Sequence, residues 1–395
     1  MKEKALRKEA VRRRLAGESA EDIAADLGRT ARWVRKWVAR HDEDGHHDVW
    51  AHGRSRAPHH SPNRIDNDLR EAIIAARQRL VANARAQYGA LAVQWELRRL
   101  GIDPIPPTRT VERVIARAGL SNPRRRQPGY VSKGVPYPAP RGADQPGGVH
   151  QIDLVGPRHL HGGIAFHAVN GIDMGSHEAA NGLVATPRPT AVAQAVVGMW
   201  ARTGTPAIAQ FDNHSILRGG IPPAAAHFGP VVATCLQLGV VPRFIPLREP
   251  WRNGVVEHFN DVWDKSFFRT ETFTSRTHLA TENDAFIAFH NAHHRYSAHN
   301  GQTPDEIWRD RLRHGLPDAF APPDRLPAKG KIEVVRYIRS DRRLDLFGHR
   351  VTLSEAHTYQ YVTAVIGVRA KTVRVVTIDG ETIHTGPFPI SRVLR

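Results

Sequence analysis

The chain has a single cysteine, Cys235, in 395 residues. That excludes an internal disulfide framework and removes the Cys pair that a His/Cys zinc finger needs. It has no unbroken apolar run of the roughly 20 residues that span a bilayer, and Met1-Lys-Glu-Lys does not open a signal peptide. No Ser, His or Cys stands in a nucleophile-elbow or thiol-protease context. A soluble, reducing, cytoplasmic setting without a membrane partner is the expectation. Acid is also scarce: 39 Asp and Glu face 56 Lys and Arg, a formal charge of +17. A field of that sign draws in nucleic acid phosphates and makes binding salt dependent. Residues 1–126 hold 27 Lys and Arg against 16 Asp and Glu, so the excess gathers toward the amino end. The length suggests two to four domains.

Residues 1–45 read as a helix-turn-helix DNA-binding domain of three helices. Gly17 closes the first, Ser19 caps the second with Asp22 three residues on, Gly28 stops it, and Thr30 caps a third helix running to about Arg40. In that helix Val34, Trp37 and Val38 recur at helical spacing, while Arg29, Arg32, Arg35, Lys36 and Arg40 supply cations from its start and other faces. A major-groove recognition helix has this pattern; a helical bundle with a solvated basic face shares it.

Residues 46–62, rich in Gly, His, Arg and Pro, read as a linker. A second helical unit, 63–121, repeats the first in outline, and Arg109, Arg113 and Arg117 fall four residues apart on one face of its last helix, a second candidate DNA contact. Residues 122–146 then hold Arg124, Arg125 and Arg126 among prolines and glycines. They form a basic linker suited to tracking a phosphate backbone or to passive spacing.

From 147 to 318 the pattern predicts strands at 149–155, 164–172 and 179–185, a helix at 190–202, a strand at 207–212, a helix at 231–238, a short strand at 243–246 and a helix from about 253. Three early strands followed by alternating helices and strands indicate a mixed sheet with flanking helices in a multidomain α/β chain. Residues 325–395 carry short β-rich runs and the Asp379-Gly380 hairpin signal, and are expected to close into a small basic β-barrel with Arg336 among its cations.

Three acids stand out. Asp153 lies in His150-Gln-Ile-Asp and Asp212 in Phe211-Asp-Asn, each at or near the end of a strand-like run. Glu257, in Pro250-Trp-Arg-Asn-Gly-Val-Val-Glu, lies just inside a helix after an Asn-Gly turn. Folding brings such positions together, and carboxylates are the hard oxygen donors that a pair of divalent cations needs for in-line attack on phosphorus. At helical spacing Glu257, Asp261 and Asp264 share an arc of about 60° opposite Val256, Phe259 and Trp263, the pattern of an acidic stripe or of an ordinary wet helix edge.

In this order the three motifs, followed by Tyr296-x-x-His299 and Thr303-Pro-Asp-Glu-Ile-Trp308, resemble the DDE catalytic core of insertion-sequence transposases and retroviral integrases. The resemblance implies an RNase H-like fold, with Asp153, Asp212 and Glu257 as catalytic residues and ligands of two Mg²⁺ or Mn²⁺ ions. It also implies cleavage at transposon ends, strand transfer into target DNA, recognition of terminal inverted repeats, and a homo-oligomer on double-stranded DNA in a bacterial nucleoid. Asn213 and Asn253 carry over as supports of the ligands or contacts to the DNA backbone. A catalytically retired transposase acting as a sequence-specific DNA-binding regulator is the alternative, and a structure-specific nuclease of the same fold a third. The interval from Asp212 to Glu257 is longer than the family's commonest spacing, through an insertion around residues 217–228, and His214 stands where a glycine is often seen.

Overall fold

The computed structural model describes residues 3–44, 48–53, 65–121, 134–219 and 227–394. Arg124, Arg125, Arg126 and most of the two linkers lie outside the described residues. Two compact units are present, Met1–Asp66 and Asn67–Arg395.

The first unit contains α1 (Glu3–Leu15), α2 (Ala20–Asp26) and α3 (Ala31–Asp44). Ser19 starts α2 by accepting the Asp22 amide at 3.1 Å, satisfying one of the donors that a helix start leaves open. Gly28, at φ +63°, makes the left-handed turn between α2 and α3 that a side chain resists. Ala10, Ile23, Ala24 and Val34 form one small core, and Val11, Trp37, Trp50 and Ala51 a second.

The second unit opens with α4 (Asn67–Ala82), α5 (Ala90–Arg99) and α6 (Thr108–Arg117). Arg77 ties them together: it is buried, donates to the carbonyls of Tyr88 and Leu120, and lies over the Tyr88 ring. The unit continues through β1 (Val149–His159), β2 (Ala165–Asp173), β3 (Ala179–Val184), α7 (Pro189–Thr203), β4 (Ile208–Phe211), α8 (Ser215–Arg218), α9 (Pro230–Gln237) and β5 (Val241–Phe244). It ends with α10 (Gly254–Trp263), α11 (Arg276–His293), α12 (Pro304–Trp308), β6 (Lys331–Tyr337), β7 (Arg343–Leu346), β8 (His349–Thr352), β9 (Tyr361–Gly367), β10 (Thr372–Val376) and β11 (Thr382–Pro387). Among the described residues no helix is long and apolar enough to cross a membrane.

The sheet order is β11-β10-β9-β6-β5-β4-β1-β2-β3. β1, β2 and β3 are antiparallel neighbours, whereas β4 and β5 run parallel to β1. Period-two alternation assigns the two faces. Ile152, Val169, Phe211 and Phe244 meet α7 and α9, while Phe166, Ala168 and Ile172 meet Val256, Phe259 and Trp263 of α10 and Phe286 of α11. Trp263 is fully buried and gives its indole N–H to Asn283 at 2.9 Å, which removes the penalty of hiding that donor.

The tail differs from the expected closed barrel. β6, β9, β10 and β11 form an antiparallel meander that continues the main sheet through a parallel β5–β6 pairing, with the β7–β8 hairpin beside it. Ile332, Val334, Leu346, Val362 and Val373 belong to the same apolar cluster as Ile152 and Phe211. A shared core, rather than closure on itself, stabilises these strands, and short alternating runs look alike in either setting.

Candidate active site

Strand register builds the site. β1 and β4 pair in parallel, their last matched residues being Ile152 and Phe211. The next residue in each case is an aspartate, Asp153 within β1 and Asp212 just past the end of β4, so the two emerge from neighbouring strands at the same level of the sheet. Asp153 sits within β1, opposite Asn170 of β2. The strand runs on to His159 past a register shift between Val155 and Arg158.

Glu257 lies in the first turn of α10, exposed. The helix start is fixed by two glutamines. Gln151 accepts the amides of Val255 and Val256 at 3.0 and 3.1 Å and donates to Arg252 O at 3.2 Å. Gln210 donates to the same carbonyl at 3.0 Å. These bonds satisfy donors that an isolated helix start leaves open and tie it to the two strands that carry the aspartates. Asn253, buried, reaches Ile152 O and Gln210 at 3.4 Å each, so it supports the turn.

Asp153 is held from two sides: the Leu154 amide donates to Oδ1 at 2.9 Å and Asn260 to Oδ2 at 2.7 Å. Asn260 stands one helical turn beyond Glu257 and is oriented in turn by Asn170 at 2.8 Å. Burial, then the neighbouring charge of Asp212, pushes the Asp153 carboxyl above the usual range. Glu257 is also raised, by burial and then by Asp153 and Asp212. The three acids therefore share one electrostatic neighbourhood, in which the adjacent carboxylates disfavour the ionised forms of Asp153 and Glu257. Among the described residues no three His, Cys, Asp or Glu side chains already stand in a ligating group.

Asn213 faces inward. Its amide donates to Ile245 O at 2.7 Å, and its oxygen accepts from Arg336 at 3.1 Å. Arg336 is itself buried, so it is not among the surface cations of the tail. The acidic stripe on α10 does not extend as expected either. Asp261 is exposed beside Lys265, but Asp264 is buried between Arg158 at 3.1 Å and Arg269 at 2.6 Å. The chain leaves α-helical spacing for a wider π-type turn at Asp264–Phe268, which ends the 100° rotation per residue on which the stripe depends. Gln151, Gln210 and Asn260 escaped the sequence reading, although Gln151 lies inside a quoted motif and Gln210 directly before another. Their signal, an amide two residues before an aspartate or one turn after a glutamate, has meaning only once the strands are paired.

The cations divide differently. Arg32, Arg113 and Arg117 are exposed. Arg29 pairs with Glu3 at 2.7 Å and lies near the Trp33 ring; Arg35 pairs with Glu21; Lys36 and Arg40 lie over Trp37; Arg109 reaches Glu112 at 3.4 Å.

The strand order β3-β2-β1-β4-β5, with three antiparallel and two parallel members and helices on both faces, decides the architecture. It is the strand order of an RNase H-like fold. Residues 1–50 match the homeodomain-like domain family. No curated protein sequence matches the chain. Among solved structures the chain is similar to a simian T-cell lymphotropic virus intasome in complex with PP2A regulatory subunit B56 gamma. That match has TM-score 0.34 and 14% identity, and covers 76% of this chain and 95% of that one. The HTLV-2 integrase catalytic core domain in complex with magnesium follows, with TM-score 0.31, 13% identity and coverage of 41% and 96%. The catalytic core domain of BIV integrase gives TM-score 0.30, 18% identity and coverage of 41% and 93%.

Proposed function

We propose that this chain is a DNA transposase of the DDE type, a polynucleotidyl transferase that cuts at element ends and joins the freed 3′-hydroxyls to target DNA. The observation that supports the reading is the β1–β4 register, whose last matched pair, Ile152 and Phe211, immediately precedes Asp153 and Asp212, together with the Gln151 bonds that tie the start of the helix bearing Glu257 to β1. Three carboxylates supply the hard oxygen donors that divalent cations require. Asp153, Asp212 and Glu257 would hold two ions of the magnesium type, which supply activation of the attacking hydroxyl and stabilisation of the leaving oxygen.

The protein's own part is placement. Asn260 fixes the rotamer of Asp153, and the two glutamines fix the start of the helix bearing Glu257. Double-stranded DNA is the partner, read at terminal repeats by α3 through Arg29, Arg32, Arg35, Lys36 and Arg40. Arg109, Arg113 and Arg117 of α6 give a second contact. The ion pairs of Arg29 and Arg35 are exposed and contribute little to stability, so exchanging them for phosphate costs little. A homo-oligomer that pairs two ends completes the reading.

The test is joining of labelled duplexes that carry the sequences flanking the coding region, with Mg²⁺ or Mn²⁺. Asp153→Asn and Asp212→Asn are expected to abolish joining while end binding persists. Joining that survives both changes contradicts the site. A wild-type protein that binds its ends but neither cuts nor joins them supports the regulator instead.

A further inference from the structure

Arg336 of β6 is a buried cation whose bonds all go to uncharged acceptors. Nε donates to Asp345 O at 2.9 Å, Nη1 to Val335 O at 2.9 Å and Ile245 O at 3.2 Å, and Nη2 to the side-chain oxygen of Asn213 at 3.1 Å. Burial holds its pKa down at about 10. A guanidinium placed there is expensive in desolvation, and an apolar side chain of similar volume is often no less stable at such a position. What the guanidinium does that an apolar group cannot is close a ring. Arg336 bonds Asn213 and Ile245 O, and Asn213 bonds Ile245 O. That ring clamps the backbone immediately after Asp212, where the His214 amide also donates to Asp212 Oδ1 at 2.9 Å.

The same strands reach the other half of the site. Tyr361 of β9 places its hydroxyl 2.8 Å from both oxygens of Glu249, and Glu249 pairs with Arg252 at 3.3 Å. Arg252 provides the carbonyl to which Gln151 and Gln210 donate. The carboxy-terminal strands thus hold both the loop of Asp212 and the turn that starts the helix of Glu257.

We propose that Arg336 is a positioning residue for the phosphoryl-transfer site, fixing Asp212 through Asn213, and that the strands from β6 onward are part of that site's scaffold. This rests on the transposase reading above. Its test therefore includes a measurement that needs no catalysis.

In the full-length protein, Arg336→Lys keeps the charge but loses the fork that spans Asn213 and Ile245 O. Amide hydrogen exchange at residues 212–216 should accelerate, and kcat for joining and the affinity for Mn²⁺ alone should each fall 10- to 100-fold. The KM for DNA should be unchanged. Asn213→Ala cuts the same link and leaves Arg336 its carbonyl partners, so it carries the test if Arg336→Lys does not fold. The double variant should be no worse than the worse single one. Wild-type exchange at 212–216 in the folded variants overturns the proposal, as do kcat and Mn²⁺ affinity within twofold of wild type, or losses that simply add. Catalysis undiminished in Asp153→Asn, alongside faster exchange in Arg336→Lys, refutes the transposase reading while leaving the clamp intact.

Discussion

Asn260 donates its side-chain amide to Asp153 Oδ2 at 2.7 Å from one helical turn beyond Glu257. Two of the three acids are thereby linked through a neutral residue that belongs to neither motif. Asn260→Ala should leave Asp153 free to rotate and lower joining by roughly 10- to 100-fold, the usual effect of removing a support behind a metal ligand. Asn260→Asp should be worse, because it adds a carboxylate to a neighbourhood where burial and Asp212 already raise Asp153. Steady-state joining kinetics check both. An Asn260→Asp enzyme as fast as wild type would contradict this role.

Gln151→Leu removes the acceptor shared by the Val255 and Val256 amides and leaves them unpaired, at a cost of roughly 1–3 kcal/mol. The melting temperature should fall, and joining should fall with it. Gln151→Glu keeps an acceptor for both amides but loses the donor to Arg252 O, so it should recover part of the stability. Thermal denaturation followed by circular dichroism separates the two variants.

These anchors show where sequence reading stopped. The order of elements was legible because Val149–Leu154 and Ile208–Phe211 are short apolar, strand-like runs and the α10 residues Val256, Phe259 and Trp263 carry a 3.6-residue period. The three acids were legible from their local contexts. Their closeness depends on the pairing of Ile152 with Phe211, a partnership across 59 residues that periodicity does not encode. Arg336 and Asp264 were misjudged for a related reason. Charged residues are usually exposed, and only the packed structure reveals the carbonyls and guanidiniums that make these two burials tolerable.

Buried and half-buried histidines gather against α10. His177 stacks on Tyr296 and shares a 2.6 Å contact with His299, while His290 meets Tyr296 OH at 2.8 Å. Burial, then neighbouring histidines, lowers His177 to about 4; burial first also lowers His294 to about 4. The unfolded chain takes up these protons near pH 6.5 and the folded one only near 4. Stability from these groups is therefore complete above 6.5 and is lost as pH falls through that window, by up to about 3 kcal/mol each. The raised carboxyls of Asp153 and Glu257 act in the opposite direction, so a difference measurement is required. His177→Phe keeps the ring stack and removes the base. Its unfolding free energy relative to wild type should improve from pH 7 to pH 4 in urea titrations, and a constant difference would contradict the assignment.

Arg32→Ala with Arg35→Ala should weaken DNA binding and reduce the slope of log affinity against log salt by roughly one to two, the loss of up to two phosphate contacts. Fluorescence anisotropy from low to moderate salt reads that slope. An unchanged slope moves recognition away from α3.

The most direct measurement is Mn²⁺ binding to the DNA-free protein, by calorimetry or electron paramagnetic resonance, for wild type, Asp153→Asn, Asp212→Asn and Glu257→Gln. The account expects binding in wild type and at least a tenfold loss in every single variant, because each carboxylate contributes to the same pair of ions. Wild-type affinity in all three variants would contradict it.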